Sequence, residues 1–179
     1  MNELSFGNII VSSPEDILNS REQRVYYQQN LINKYKKPLL CMRANYPGLL
    51  KNNDIALGIM KILNETLVKE FDNFIIYADF SLTWEGPILS MIINKPSFYI
   101  KKKAVQIEEG HPLGRCVDID VYSEEFKGLS RRDMGISPRR CYICNEDAQS
   151  CVRARKHNLE EIETYIKKKY ENYCKTEIK

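Results

Sequence analysis

No stretch of this 179-residue chain approaches the roughly 20 apolar residues of a membrane span, so no membrane partner is expected. The opening MNELSFGNII has neither a basic start nor a long apolar run, which argues against a secretory leader and for the cytoplasm. Net charge is only +3, too little to argue for a nucleic-acid partner. There is no internal repeat and no low-complexity tract, which leaves a conventional globular core as the expectation. Six cysteines in a chain expected in a reducing compartment point to metal or to chance rather than to a disulfide framework.

What remains is an ordinary globular composition, 43% hydrophobic and 28% charged. A chain of this length is long enough for one domain, 1–179, with a proper core. The stretch that carries chemistry is Gly114-Arg115-Cys116-Val117-Asp118-Ile119-Asp120-Val121. It reads as a turn entering a strand. Side chains alternate faces along a strand, so Asp118 and Asp120 share one side while Val117, Ile119 and Val121 take the other. Adjacent carboxylates repel unless a cation lies between them, and Mg²⁺ bound by carboxylate and phosphate oxygens meets that need. Gly114 would let a phosphate approach the backbone, and Arg115 would offer it a planar fork. Asp-x-Asp also occurs on solvated edge strands. The arginines that follow favour the metal reading: Arg131, Arg132, Arg139, Arg140, Arg153, Arg155 and Lys156 stand against Asp133, Glu146 and Asp147.

Taken in order, 1–12 reads as a loose start. Ser13, Pro14, Glu15 and Asp16 open a helical stretch over 14–35, one long amphipathic helix or two in tandem, with Leu18, Val25, Leu31 and Ile32 as its apolar spacing. Arg21 and Arg24 are three apart and can share a phosphate. A buried strand over 39–44 leads to the turn Asn45-Tyr46-Pro47-Gly48, after which Asn45 and Lys51 are candidates for substrate contact. Asn53 or Asp54 caps a helix over 54–70. Strands over 73–83 and 87–93 form an antiparallel pair around Trp84-Glu85-Gly86. Ser97 caps a helix over 98–109, with Lys101 to Lys103 on its solvated face. His111 is either an acid–base group or a solvent-facing helix-end residue. A breaker-rich loop from Leu129 to Arg140 folds across the site. Helices over 148–156 and 158–173 follow, the second capped by Asn158, and the tail from Lys167 frays. The fold class is therefore α+β: one domain, a mixed or antiparallel sheet flanked by helices, and an arginine- and cysteine-rich C-terminal segment, 138–173.

In that segment Cys141-x-x-Cys144 is followed by Cys151 and His157. Three thiolates and an imidazole make a closed tetrahedral set of the kind a structural Zn²⁺ takes. The rival reading is that these cysteines are simply buried small hydrophobes.

The run Ile107-Glu108-Glu109-Gly110-His111-Pro112-Leu113-Gly114-Arg115 followed by Asp118-Ile119-Asp120-Val121 resembles the citrate lyase holo-[acyl-carrier protein] synthases. These are the apo-citrate lyase phosphoribosyl-dephospho-CoA transferases. The likeness continues through Leu129 to Asp133, Gly135, Pro138 to Cys141, Cys144, Ala148, Cys151, Arg153, Arg155 and His157. Upstream it includes Arg21, Glu22, Arg24, Gln28, Asn45, Pro47, Gly48 and Lys51. Tyr46 and the pair Cys116-Val117 depart from the pattern, and neither is a charged position. The resemblance implies transfer of phosphoribosyl-dephospho-CoA from 2′-(5″-triphosphoribosyl)-3′-dephospho-CoA to a serine of the citrate lyase acyl carrier subunit, with diphosphate leaving. It implies Mg²⁺ on Asp118 and Asp120, the triphosphate on Gly114 and Arg115, and further oxygens neutralised by Arg131, Arg132, Arg139 and Arg140. A third carboxylate would come from Glu85, Asp79 or Asp133. The layout also resembles polymerase-beta-type nucleotidyltransferases, by analogy of fold. The alternatives are the same chemistry on a malonate-decarboxylase-type carrier, and a non-enzymatic zinc-clipped basic module that binds polyanions.

Overall fold

A computed structural model describes residues 12–177. The expectation for 1–12 lies almost wholly outside the described residues. Ser12 itself is not loose: it is buried, and its hydroxyl donates to the Trp84 carbonyl at 3.0 Å.

Helix α1, Pro14–Tyr35, starts where a capping box closes it. The Ser13 hydroxyl accepts from the Asp16 amide at 3.0 Å, and the Asp16 carboxylate accepts from the Ser13 amide at 2.9 Å. Its inward residues are Ile17, Ser20, Gln28, Leu31 and Ile32. Leu18 and Val25, expected on that stripe, are 55% and 40% exposed. The true stripe runs 17, 20, 24, 28 and 31, because the first half of α1 covers a polar part of the sheet. Sequence hydrophobicity therefore misleads there.

Strand β1, Leu39–Ala44, is followed by α2, Asp54–Phe71, which Asn53 caps through the Ala56 amide at 2.9 Å. Strands β2, Ile75–Thr83, and β3, Gly86–Ile93, form the expected hairpin, with Gly86 at φ 105° where a side chain would be strained. Helix α3, Ser97–Gly110, begins at Pro96 with no side-chain cap, so Ser97 is its first residue rather than its cap. Proline already holds the φ that a helix start needs. Strand β4, Val117–Tyr122, helix α4, Ala148–Arg153, and helix α5, Leu159–Glu177, complete the order. Helix α5 continues to Glu177 past the expected fraying point, because Ile166, Tyr170 and Tyr173 pack on the core.

Among the described residues, the four strands form one antiparallel sheet in the order β2-β3-β1-β4. One face carries Leu40, Met42, Leu89, Met91, Val117, Ile119 and Val121 against α2 and α3, with Ile166 of α5 joining them. Burying side chains of this size contributes roughly 1.5–3 kcal/mol each, and most of the core lies here. On the other face Leu39, Cys41, Ile88 and Ile92 meet Leu31 and Ile32 of α1. Toward the open end of that second face, apolar residues give way to charged ones.

Candidate active site

The alternation read from the strand holds: Val117, Ile119 and Val121 are buried, while the side chains of Asp118 and Asp120 are each 40% exposed on the α1 face. Strand β1 sets their neighbours, pairing Arg43 with Asp118 and Cys41 with Asp120. The Arg43 guanidinium reaches diagonally to Asp120 at 2.8 Å and lies 3.6 Å from Glu85. Burial opposes the Arg43 charge, and Asp120 with Asp118 more than offsets that, holding it firmly protonated.

Glu85 comes from the β2–β3 turn with its side chain only 5% exposed. It accepts from Arg24 at 2.7 Å and from Arg21 at 3.3 Å. The two α1 arginines thus share an anion, as their spacing suggested, and here the anion is a carboxylate. From the other side Arg139 contacts Asp118 and donates to the Val117 carbonyl at 3.1 Å. Three carboxylates stand among four guanidiniums, around a cavity of about 120 Å³ lined in part by Arg21, Arg43, Asn45, Lys51, Glu85 and Asp118. The Lys51 ammonium donates to the Tyr46 carbonyl at 2.6 Å, and burial, with Arg21 nearby, pulls it below the ordinary lysine range.

Of the three candidates for a further carboxylate, Glu85 alone lies in this cluster. Asp79 sits in the same sheet row as Asp120 but beyond Ser90 and Cys41, three strand spacings or about 14 Å away. Asp133 is spent on a local turn, accepting the Ser130 amide at 2.7 Å and its hydroxyl at 2.9 Å.

Other expected residues stand elsewhere. Gly114 is buried, its amide donates to the His111 carbonyl, and a Cβ there would meet the Ile107 and Glu108 carbonyls at 2.3 and 2.7 Å. Its close approach is to helix α3, so packing rather than a phosphate demands the glycine. The Arg115 guanidinium donates to the Arg140 carbonyl instead of joining the two aspartates. Arg131 pairs with Glu108 and Glu109, and the side chains of Arg132 and Arg140 are exposed. His111 is a half-buried helix-end residue whose Nδ1 accepts the Leu113 amide at 3.1 Å and whose ring lies 5.3 Å from that of Tyr173.

Three residues escaped the sequence reading. Arg43 carried a signal, since a charged residue in an otherwise apolar strand needs an anion nearby. Lys101, expected on a solvated face, is 6% exposed and donates to the Ile119 carbonyl at 3.0 Å. Glu108, 2% exposed, accepts the Ile119 amide at 2.9 Å and receives Arg131 and Arg139.

Just beyond Arg139 the chain forms a second cluster. One donor atom from each of Cys141, Cys144, Cys151 and His157 lies within 4.8 Å of the others. The Cys144 sulfur is 3.4 Å from that of Cys151 and 3.3 Å from His157 Nε2, while Nδ1 of the same ring faces Glu161 at 4.0 Å. Burial raises the Cys141 thiol, but the Cys144 and Ile143 amides aimed at its sulfur more than offset that, bringing it down to about 7. Three sulfurs and a nitrogen with a carboxylate behind the imidazole fit a closed metal site. Stacking of Tyr142 on Tyr165, with centroids 4.5 Å apart, ties this knuckle to α5.

Among the described residues no helix is long and apolar enough to cross a membrane. Comparison with known proteins gives one consistent result. The family of apo-citrate lyase phosphoribosyl-dephospho-CoA transferases matches residues 12–173. A probable apo-citrate lyase phosphoribosyl-dephospho-CoA transferase of Streptococcus pyogenes serotype M3 is 34% identical over 158 residues, 86% of this chain and 82% of that protein. An apo-citrate lyase phosphoribosyl-dephospho-CoA transferase of Shigella boydii serotype 18 is 32% identical over 157 residues, 85% of this chain and 84% of its own. Protein CitXG of Haemophilus influenzae is 30% identical over 171 residues, and the match spans 90% of this chain but only 35% of that longer protein.

Proposed function

The chain belongs to the apo-citrate lyase phosphoribosyl-dephospho-CoA transferase family, and from that premise we propose that it performs the family's transfer on a citrate lyase acyl carrier. The donor is 2′-(5″-triphosphoribosyl)-3′-dephospho-CoA. A carrier serine oxygen forms a bond to the α-phosphorus, the bond from that phosphorus to the oxygen of the diphosphate breaks, and the serine proton passes to solvent water. The observation that supports this best is the ring of Arg21, Arg24, Arg43, Arg139 and Lys51 around Asp118, Asp120 and Glu85. A triphosphate needs cations in number, and carboxylates beside the reacting phosphorus would hold a metal cation there.

The carboxylate oxygens of Asp118 and Asp120 are of the kind a hard cation takes, and Glu85 shares Arg43 with Asp120, but the three are not drawn together as the cysteine and histidine donors are. Magnesium held there would supply charge stabilisation on the phosphoryl oxygens and the leaving diphosphate. The chain's own residues do the rest. Arg43 and Arg139 already lie on the carboxylate face, Arg43 against Asp120 and Arg139 against Asp118, where their guanidiniums can meet phosphate oxygens. Lys51, Asn45 and Arg21 line the cavity beside them and hold the far phosphates. Cys141, Cys144, Cys151 and His157 would hold zinc, whose part there would be to tie together the segment following Arg139 rather than to take part in the transfer. The protein is, in this reading, a cytoplasmic enzyme whose partners are the donor and the carrier subunit.

The test is intact-mass analysis of purified carrier proteins after incubation with enzyme, donor and Mg²⁺. Addition of the phosphoribosyl-dephospho-CoA mass to the citrate lyase carrier, and none to a malonate decarboxylase carrier, is the expected result. Modification of only the second carrier moves the activity to that partner. No modification of either, with salt-sensitive polyanion binding instead, would leave a binding module.

A further inference from the structure

Strand β4 is an edge of the sheet, and an edge leaves every second peptide without a strand partner. Ile119, between the two aspartates, is such a residue. Both of its outward groups are met by buried charged side chains of α3: Glu108 accepts its amide at 2.9 Å and Lys101 donates to its carbonyl at 3.0 Å. Burying a carboxylate is costly unless cations compensate it. Here two do. One carboxylate oxygen of Glu108 accepts from Arg131 at 2.7 Å, and the other is contacted by Arg139. Arg139 is therefore shared between Glu108, whose side chain is 3% exposed, and Asp118, whose side chain is 40% exposed.

The two ends of that bridge are unequal. Asp118 faces the cavity and is free to exchange its partner when an anion or a cation arrives. Glu108 has no access to that face and already accepts from a backbone amide and a second arginine. We infer that Glu108 is a positioning residue for Arg139: it keeps the guanidinium beside Asp118 when the carboxylate turns away, so that Arg139 meets phosphate oxygens in place. The inference rests on the proposed transfer, since that reaction supplies the polyanion.

Glu108→Gln separates this role from a structural one. An amide oxygen still accepts the Ile119 amide, whereas the negative charge that holds Arg139 is gone. The variant is expected to keep its melting temperature within a few degrees and to lose about 10–100-fold in kcat/KM, the usual cost of removing a supporting partner. In Arg139→Gln the further loss on adding Glu108→Gln should be under about 2-fold, because the carboxylate acts through an arginine no longer present. Glu108→Gln activity within 2-fold of wild type, or independent and multiplying losses in the double variant, would overturn the inference. Should Glu108→Gln not fold, Arg131→Gln decides. It leaves Arg139 on Glu108 and should cost no more than about 3-fold, and a loss equal to that of Arg139→Gln would contradict the role. If the wild-type protein modifies no carrier, the transfer reading fails and the same variants are read by calorimetry with inorganic triphosphate. Coupled loss of binding then supports the Glu108–Arg139 relation, and unchanged or additive binding overturns it.

Discussion

The carboxylate face and the cysteine knuckle lie on either side of Arg139–Arg140, and both collect groups that repel one another. They resolve the repulsion in different ways. At the sheet face, Asp118 and Asp120 remain 40% exposed and each is met by an arginine from another element. Such pairs exchange readily, since an exposed ion pair contributes little and incoming ions compete for both partners. At the knuckle the four donor atoms converge on one point within a short stretch of chain, with a carboxylate behind the imidazole. That set is complete in itself. An open, charge-compensated face is suited to receive substrate, and a closed donor set is suited to hold shape.

The sharpest way to break this contrast is to remove one carboxylate. Asp118→Asn or Asp120→Asn should lower the transfer rate on the order of 10³-fold, with melting unchanged within a few degrees, because only the open face is altered. Turnover near the wild-type rate in either variant would mean that the face is idle. At the knuckle, Cys144→Ser removes a sulfur that contacts both Cys151 and His157. Bound zinc, measured by atomic emission, should fall from one equivalent to none, and limited proteolysis should cut within 140–157. Turnover should drop about 10–100-fold as Arg139 loses its support. A zinc-free variant with full protease protection would show that the four donors are ordinary packing.

Leu63→Ala probes neither region. Leu63 is fully buried in the larger core, so the change should cost ~2–5 kcal/mol of stability while kcat of the folded enzyme stays within about 2-fold. Denaturant melts and initial rates on the same preparation check it. Ser13→Ala is the mildest change. Losing the α1 cap should lower Tm by about 2–4 °C. The Ser13 hydroxyl and amide hold the Asp16 carboxylate below its ordinary value of 3.8, so the capping contribution is present above that pH. The part supplied by the ionised Asp16 carboxylate is lost as pH falls through the lower folded value, so the Tm gap between wild type and Ser13→Ala should narrow in acid to what the Asp16 amide–Ser13 hydroxyl bond supplies.

Local signals were legible in the chain. Alternation along 117–121 placed Asp118 and Asp120 together, Ser13-Pro14 and Asn53 marked helix starts, and the cysteine spacing marked the knuckle. What was hidden depends on strand order. Arg43 meets Asp120, Glu85 and, through Glu85, the α1 arginines only because β1 is inserted between β3 and β4. No spacing within one segment reports that. Lys101 looked solvated because lysines usually are, yet the edge peptide at Ile119 needed a donor and α3 runs along that edge. Gly114 suggested a phosphate turn from its neighbours, whereas the space it leaves is filled by α3 carbonyls.

The most direct measurement pairs carrier mass with released diphosphate, using wild-type enzyme, donor and citrate lyase carrier with and without Mg²⁺. The account predicts one diphosphate for each carrier serine modified, neither product when Mg²⁺ is withheld, and both slowed on the order of 10³-fold when Asp118 is replaced by Asn. Equal modification without magnesium, or by Asp118→Asn, would contradict the assignment of the reacting centre to the Asp118–Asp120 face.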